Sequence, residues 1–532
     1  MAVNSRSVLS NIPRLPAGAA RRRQLTLAAV LLLGLIAAWL AADWILSGNS
    51  RNMLYAGLAV AGGAIVLVTL GNFRRGFYLF LGWLLFEDLA RKYLGNNMLI
   101  YFGKDFLVAV VYLSFFAAMR RKEVPLFRPP FLKALGVFFC FAVIQVLNPA
   151  STSAIFGLLG LKLYFYYVPL VFVGYALVDS EEQLRSFFNW NLLLAALIAL
   201  LGVVQAIVGP GFLNPARPEA DIRTLSTLYR VSPLTGQVLY RPTSVFVSDG
   251  RFSYYMILSW LVAFGFAAYL LLRVRRGRLL AFGTIAVVTA AVVLSGSRGA
   301  LLFTAGSGLV AAAAVLWGAP WRQRGVIRVV RVVQRTILVG GIALILLLVN
   351  YPQALGARWA FYSETLSLES PAGELLYRVR DYPLQNLVYA FDHPRWPYGY
   401  GTGTNSLGGQ YIGRYLSVKP PAGGVENGYG SLIVEMGILG LVLWLVWTSS
   451  LALSAWRVVR ALKGTPWFPL AFAIVWYAVL LLFPMTYTSI AAYQNFILNA
   501  YLWLLLGILF RLPALASGQL PSAPVAVSHR GR

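Results

Sequence analysis

The sequence predicts an all-α, polytopic membrane protein with about 14 transmembrane helices and two long loops on one side of the bilayer. Three observations carry that expectation. Hydrophobic residues make up 59% of the 532 and charged residues only 12%, whereas soluble domains carry about 25% charged residues. Apolar runs recur that reach the roughly 20 residues a helix needs to cross a hydrocarbon core. Arg and Lys punctuate these runs, and they do so unevenly.

In chain order, spans are expected near 25–46, 53–71, 76–94, 101–119, 131–148, 154–178, 186–208, 253–272, 279–296, 299–317, 336–350, 429–455, 466–488 and 492–510. The first run is too long for a signal-peptide core and no small-residue cleavage site follows it, so it reads as a retained helix. The third contains Glu87 and Asp88 and is the least apolar. Residues 1–24 and 511–532 are rich in Pro, Ser, Gly and Arg and read as disordered tails. Between the tails, 25–510 reads as a single transmembrane domain with long loops at 209–252 and 351–428.

Placing the N-terminus in the cytoplasm puts 28 of the 45 Arg and Lys on that side. Of the 17 opposite, 11 lie in the two long loops, which translocate largely regardless of charge. The short loops therefore decide the orientation: both termini cytoplasmic, both long loops outside. The net charge of +27 is accounted for by this pattern. Nucleic-acid binding would need the cations gathered on one soluble surface, so no nucleic-acid partner is expected.

Several kinds of chemistry have little material. There is no Gly-rich nucleotide-binding loop. Cys140 is the only cysteine, and His393 and His529 are the only histidines, so neither a metal site nor a Ser-His-Asp triad is expected, and no cofactor. The chain does have cations at the outer ends of its helices, where membrane-edge charges are costly and often functional. These are Lys104, Lys162, Arg241, Arg298, Arg378 and Arg380. Facing one cavity, such groups would suit a diphosphate, because guanidinium groups bind phosphate oxygens in pairs. A Gly- and aromatic-rich segment, Pro394–Gly403, contains Tyr400, and aromatic faces suit sugar stacking. Glu426-Asn427 then stands at the outer start of a helix, Glu426 as a candidate catalytic carboxylate and Asn427 as a candidate substrate-binding residue, the alternative being a helix-start carboxylate with Asn427 as a plain cap. Glu435, nine residues on, lies about 180° around that helix from Glu426 and reads as a hydrogen-bonding residue rather than a catalyst.

Taken in order, Arg241-Pro-Thr-Ser-Val-Phe246, Leu294-Ser-Gly-Ser-Arg-Gly-Ala300, Asp392-His-Pro394 with Gly399-Tyr-Gly401, and Glu426-Asn-Gly-Tyr-Gly-Ser431 with Glu435-Met-Gly-Ile-Leu-Gly440 resemble the O-antigen ligase and polymerase family. That family includes O-antigen ligases, Wzy-type polysaccharide polymerases and protein O-oligosaccharyltransferases. The resemblance covers roughly residues 230–455. It implies a GT-C-like, metal-independent, inverting glycosyltransferase of the bacterial inner membrane, acting at the periplasmic face. The donor would be an oligosaccharide on undecaprenyl diphosphate, and a chain-length regulator and a flippase of the same pathway would be partners. Arg241, Arg298 and Arg378 or Arg380 would hold the diphosphate, and Glu426 would be the general base. Ligases of this family usually carry histidine where this chain has Glu426, which favours a polymerase over a ligase transferring glycan to lipid A-core or protein. A lipid-linked oligosaccharide flippase is the alternative from another class.

Overall fold

A computed structural model of the chain describes residues 50–95, 98–125, 127–215, 228–320, 351–367, 374–406 and 424–518. The expected spans at 25–46 and 336–350 and the far ends of both tails lie outside these residues. The chain divides into two compact units, Met1–Gly76 and Phe77–Arg532. In the first, helix α1 (Ser50–Gly71) is apolar, and the Thr69 hydroxyl donates back to the Ile65 carbonyl at 2.7 Å, which satisfies it without a partner elsewhere. Helix α2 (Phe73–Leu94) begins here and continues into the second unit.

The second unit is almost wholly helical. It contains α3 (Met98–Arg120), α4 (Leu132–Val146), α5 (Ala154–Phe165), α6 (Leu170–Leu177) and α7 (Glu181–Val208). A short hairpin follows, β1 (Tyr229–Val231) with β2 (Val238–Tyr240). Then come α8 (Asp249–Arg273), α9 (Arg278–Leu294), α10 (Arg298–Gly318) and α11 (Pro352–Leu366). The chain closes with α12 (Tyr382–Asp392), α13 (Gly428–Ala461), α14 (Phe468–Leu480), extended by helical turns to Thr488, and α15 (Phe496–Ala516).

Eight helices among the described residues are long and apolar enough to cross a membrane, and three further apolar helices are shorter. The protein is therefore a mostly helical, multi-pass membrane protein. The expected spans within the described residues are largely helical, but two are in two pieces: 154–178, because the chain turns at 166–169 before Pro169 caps α6, and 492–510, where one turn ends at Gln494 before extended Asn495 caps the last helix. The last helix runs to Ala516, six residues into the stretch read as tail.

Side-chain caps set the helix starts that matter for the site. Ser248, Ser297 and Asn427 accept from the backbone N–H of Arg251, Ala300 and Gly430, so α8, α10 and α13 begin where their motifs begin. The core is aromatic: Phe138, Tyr164, Trp444, Trp447, Tyr493 and Trp503 are fully buried and meet edge-to-face or stacked. Against it, a Cβ at Gly174 of α6 would run into the Leu504 carbonyl oxygen and one at Gly507 of α15 into that of Val171, the close backbone approach that packs membrane helices.

Helix α13 is broken at Gly437, which has φ 71° and ψ −177°. A Cβ there would run into the Pro397 carbonyl, so this conformation and this contact both require glycine. The break releases carbonyls from the helical ladder, and the Pro394–Gly403 loop takes them up. Tyr400 N donates to Val434 O at 2.9 Å and Gly401 N to Glu435 O at 2.8 Å.

Candidate functional site

The site is assembled from both long loops and the tight α9–α10 turn. In that turn Gly296 has φ 65°, and a Cβ there would lie 2.7 Å from Leu239 Cδ2 and 3.3 Å from Arg241 Cγ. Only glycine lets the hairpin of the first loop come this close. Helix α11 of the second loop then locks the two together. Phe361 and Tyr362 pack on Leu239 with Leu301 and Leu366. Buried Arg358 donates to Leu294 O at 2.8 Å, satisfying an open carbonyl at the end of α9, and to Tyr240 O at 3.2 Å. Burial pulls the Arg358 guanidinium down to about 10, with Tyr362 and Tyr240 working against that shift. The Glu364 carboxylate accepts from Thr235 Oγ1 at 2.7 Å, Leu234 N at 2.9 Å and Thr235 N at 3.3 Å, fixing the hairpin turn.

These contacts enclose a cavity of about 820 Å³ whose walls carry Arg230, Arg241, Arg298 and Arg378. Among the described residues no Asp or Glu lines it. Its apolar side includes Leu302, Phe303, Leu366, Leu375 and Val379, and Tyr487 borders it. Arg298 is the first residue of α10 and stacks over Phe361 at 5.4 Å. Arg241 Nη1 pairs with Asp249 at 2.5 Å, while its Nε is buried without a hydrogen-bond partner among the described residues. Burial pulls Arg241 below the ordinary arginine value and Asp249 opposes that shift. The four guanidinium groups, that of Arg241 already paired with Asp249, give the cavity a cationic lining beside its apolar side, a combination that suits a multiply charged anion with an apolar appendage.

Glu426 lies next to this cavity rather than in its wall. Burial pushes the Tyr382 hydroxyl above its ordinary value, the Glu426 carboxylate lies near enough to add to that shift, and the Tyr382 ring carries the Arg378 guanidinium at 5.3 Å. Glu426 is exposed, its N–H donates to Asn386 Oδ1 at 3.1 Å, and Asn427 caps α13 while its Nδ2 donates to Pro383 O at 3.0 Å. Tyr429, in the first turn of α13, meets the cavity-lining Tyr487 ring at 5.9 Å. Arg380 does not line the cavity. It is 69% exposed and pairs with the adjacent Asp381 at 2.6 Å, because residues two apart on a helical turn project to different faces. Tyr400 belongs to the loop's own packing, against Val434 and the His393 ring, and is also absent from the cavity wall.

Lys104 and Lys162, expected beside the arginines, belong to a separate buried charge network. Lys104 is 1% exposed and pairs with fully buried Glu87 at 3.0 Å, lying 3.6 Å from the centre of the Tyr101 ring. Lys162 pairs with Asp105 at 2.5 Å, and Asp105 also accepts from Tyr167 at 3.2 Å. Asp88 takes Arg251 at 2.7 Å and Arg91 at 3.1 Å. Around Lys104 and Lys162 the remaining void is about 10 Å³, room for no more than a water.

This network supports the arginine cavity from below. Lys92 donates to Thr243 Oγ1 at 2.8 Å and Ser244 O at 2.7 Å. Val247 N donates to Asp88, and Gln205 Oε1 accepts from the N–H of Thr243 and Ser244. The segment that follows Arg241 is thereby held at Thr243, Ser244 and Val247. Sequence reasoning did not single out Arg230, Lys92, Asp249, Arg251, Arg358 or Tyr382. The signal that could have found some of them was Glu87-Asp88 in an apolar span, since buried carboxylates require cationic partners. Glu435 is a fully buried anchor. Its carboxylate accepts from Tyr164 Oη at 2.9 Å and from Gly403 N and Asn405 N at 3.1 Å each.

Among the described residues no group of three or more His, Cys, Asp or Glu is placed to hold a metal ion. No protein-family model matches the chain, and no curated protein matches it. Fold and site define a multi-pass helical membrane protein with an arginine-lined, apolar-sided cavity at one end of its helices.

Proposed function

We propose that this protein is a metal-independent, inverting glycosyltransferase of the bacterial inner membrane that polymerises an exopolysaccharide or O-antigen at the periplasmic face. Its donor is an oligosaccharide on undecaprenyl diphosphate, and its acceptor is a sugar hydroxyl. The observation that carries this reading is the convergence of Arg230, Arg241, Arg298 and Arg378 on one cavity with an apolar side. A lipid diphosphate presents that combination: two phosphates for the guanidiniums and a hydrocarbon tail for the Leu302, Phe303 and Val379 side.

In this reaction the acceptor hydroxyl oxygen forms a bond to the anomeric carbon as the bond from that carbon to the diphosphate oxygen breaks. The charge that develops on the departing diphosphate is stabilised by the preorganised arginines. The hydroxyl proton passes to the Glu426 carboxylate, which lies near Tyr382, whose ring carries Arg378. Lys92, Gln205 and Asp249 act as positioning residues for Arg241.

A flippase would need charges along a passage between the two faces. The deep charges of α2, α3, α5 and α8 are instead paired with one another around a void of about 10 Å³, which favours one-sided chemistry. The test is surface polysaccharide length on gels from a deletion strain carrying wild type, Glu426→Gln, Arg298→Ala or Arg378→Ala, with membrane expression checked. Single repeat units in the deletion strain and in the variants support the polymerase. Accumulation of long undecaprenyl-linked chains identifies a ligase instead. Normal chains from all three variants would refute the assignment of the site.

A further inference from the structure

Helices α7, α8 and α9 run between two ends. Gln205, Asp249 and Leu294 lie at the arginine-cavity end, and Glu181, Arg273 and Arg278 lie at the other. The 28 residues of α7 span about 42 Å, so the far end faces the opposite side of a bilayer. A second cavity of about 430 Å³ opens there, lined by Glu182, Arg185, Asn189, Trp190, Leu193 and Arg276 among others.

Its walls are set by a close approach. Gly277 has φ 91°, and a Cβ there would lie 3.2 Å from Asn189 Oδ1, so the Arg273–Arg278 turn sits directly against α7. Arg185 Nε and Asn189 Oδ1 are buried without hydrogen-bond partners among the described residues, one an unused donor and the other an unused acceptor. Glu181 is engaged by Arg273 at 2.8 Å and Tyr269 at 2.5 Å, which leaves Glu182 as the carboxylate on the cavity wall. Trp190 is 56% exposed and Leu193 49%, so the cavity continues into apolar surface.

We propose that this cavity binds one phospholipid of the adjoining leaflet, through a headgroup that carries both a phosphate and a primary ammonium: an ethanolamine phospholipid. Arg185 and Arg276 take the phosphate, which uses the idle Nε donor. Glu182 and Asn189 Oδ1 accept from the ammonium, which uses the idle acceptor. Trp190 sits at headgroup depth, as interfacial tryptophans do, and Leu193 and Leu280 line the start of the acyl chains. A purely anionic headgroup leaves Glu182 and Asn189 Oδ1 unmatched. A choline headgroup has no N–H for either. This inference is independent of the glycosyl-transfer reading and concerns the opposite end of the helices.

The test uses the full chain, stripped of lipid in detergent, with native mass spectrometry reading bound lipid against added phosphatidylethanolamine, phosphatidylglycerol, phosphatidylcholine and free phosphoethanolamine. One phosphatidylethanolamine per chain is expected, retained about tenfold better than the other two lipids, the scale of one charge-assisted hydrogen bond. Arg276→Gln, at an exposed position, should lower that retention about tenfold. Glu182→Gln should erase the preference over phosphatidylglycerol while keeping binding. Leu280→Trp fills the cavity without removing a charge and should also exclude the lipid, so a folding defect in any one variant leaves the others decisive. Equal retention of all three lipids, unchanged retention in Arg276→Gln and Leu280→Trp, or free phosphoethanolamine binding as tightly as the lipid would each overturn the proposal.

Discussion

Lys104→Met is the most informative single perturbation of the buried charge network. Lys104 and Glu87 are 1% and 0% exposed and 3.0 Å apart. Removing the lysine leaves Glu87 with Arg91 as its nearest remaining cation, at 3.9 Å. Breaking a buried pair by deleting one partner costs about 3–5 kcal/mol, because the remaining charge is uncompensated. Arg91 argues for the lower end, about 3 kcal/mol, or roughly 150-fold in the folded population. Glu87→Gln leaves Lys104 with Asp105 at 4.0 Å and should cost a similar amount. The double variant removes both charges and should return to within about 1 kcal/mol of wild type, since a buried pair gives little net stability over neutral groups. Its coupling energy is then about 5–6 kcal/mol by the same arithmetic, beyond the common range for neighbouring residues. The assay is a heating series on detergent-solubilised protein read by size-exclusion chromatography. It should place each single variant roughly 3–8 °C below wild type and the double variant beside it. Additive losses in the double variant, or single variants melting with wild type, would refute the pairing.

Three further outcomes follow from particular contacts. Gly296→Val forces a β-branched residue into positive φ against Leu239 and Arg241. It should cost about 1–3 kcal/mol and abolish polysaccharide extension while the protein still reaches the membrane. Glu435→Gln replaces two accepting oxygens with one while Tyr164, Gly403 and Asn405 still donate, so it should destabilise by about 2–4 kcal/mol, read as a lower melting temperature. Burial pushes Glu364 up, but the hydrogen bonds from Thr235 and Leu234 outweigh it and hold the carboxyl below its ordinary 4.5. A group whose folded value is depressed stabilises above its unfolded value and loses that contribution as pH falls through the folded one. Amide-exchange protection at Leu234 and Thr235 should therefore fall on acidification below 4.5 in wild type and show no such step in Glu364→Gln. Protection that is equally pH-independent in both would contradict the clamp.

Much of the helical frame was legible because spanning a bilayer imposes length and apolarity on the chain itself. The span expected at 299–317 is α10 at Arg298–Gly318, and the Asn427 cap is visible as a residue type before an apolar run. The cavity was legible as chemistry but not as geometry. Arg241, Arg298 and Arg378 all line one cavity, yet nothing in the sequence distinguishes Arg378 from Arg380, because the choice depends on which face of one helical turn packs against Tyr382. Lys104 and Lys162 carry the same charge as the arginines but are neutralised by Glu87 and Asp105, which lie 17 and 57 positions away from them. Such pairings depend on how helices are arranged around one another, which local periodicity does not encode. The break at Gly437 was hidden for the same reason. Its cause is the incoming Pro397 carbonyl some 40 residues earlier in the chain, and an isolated glycine in an apolar helix has no such partner visible in sequence.

Direct binding is the sharpest test of the anion site proposed for the four arginines. Detergent-solubilised full chain would be titrated with undecaprenyl diphosphate and with undecaprenyl monophosphate, for wild type and Arg298→Gln. The predicted result is tighter binding of the diphosphate, weakened about tenfold or more by Arg298→Gln. Equal affinity for the two lipids, unchanged by the substitution, would contradict the assignment of this cavity as the diphosphate site.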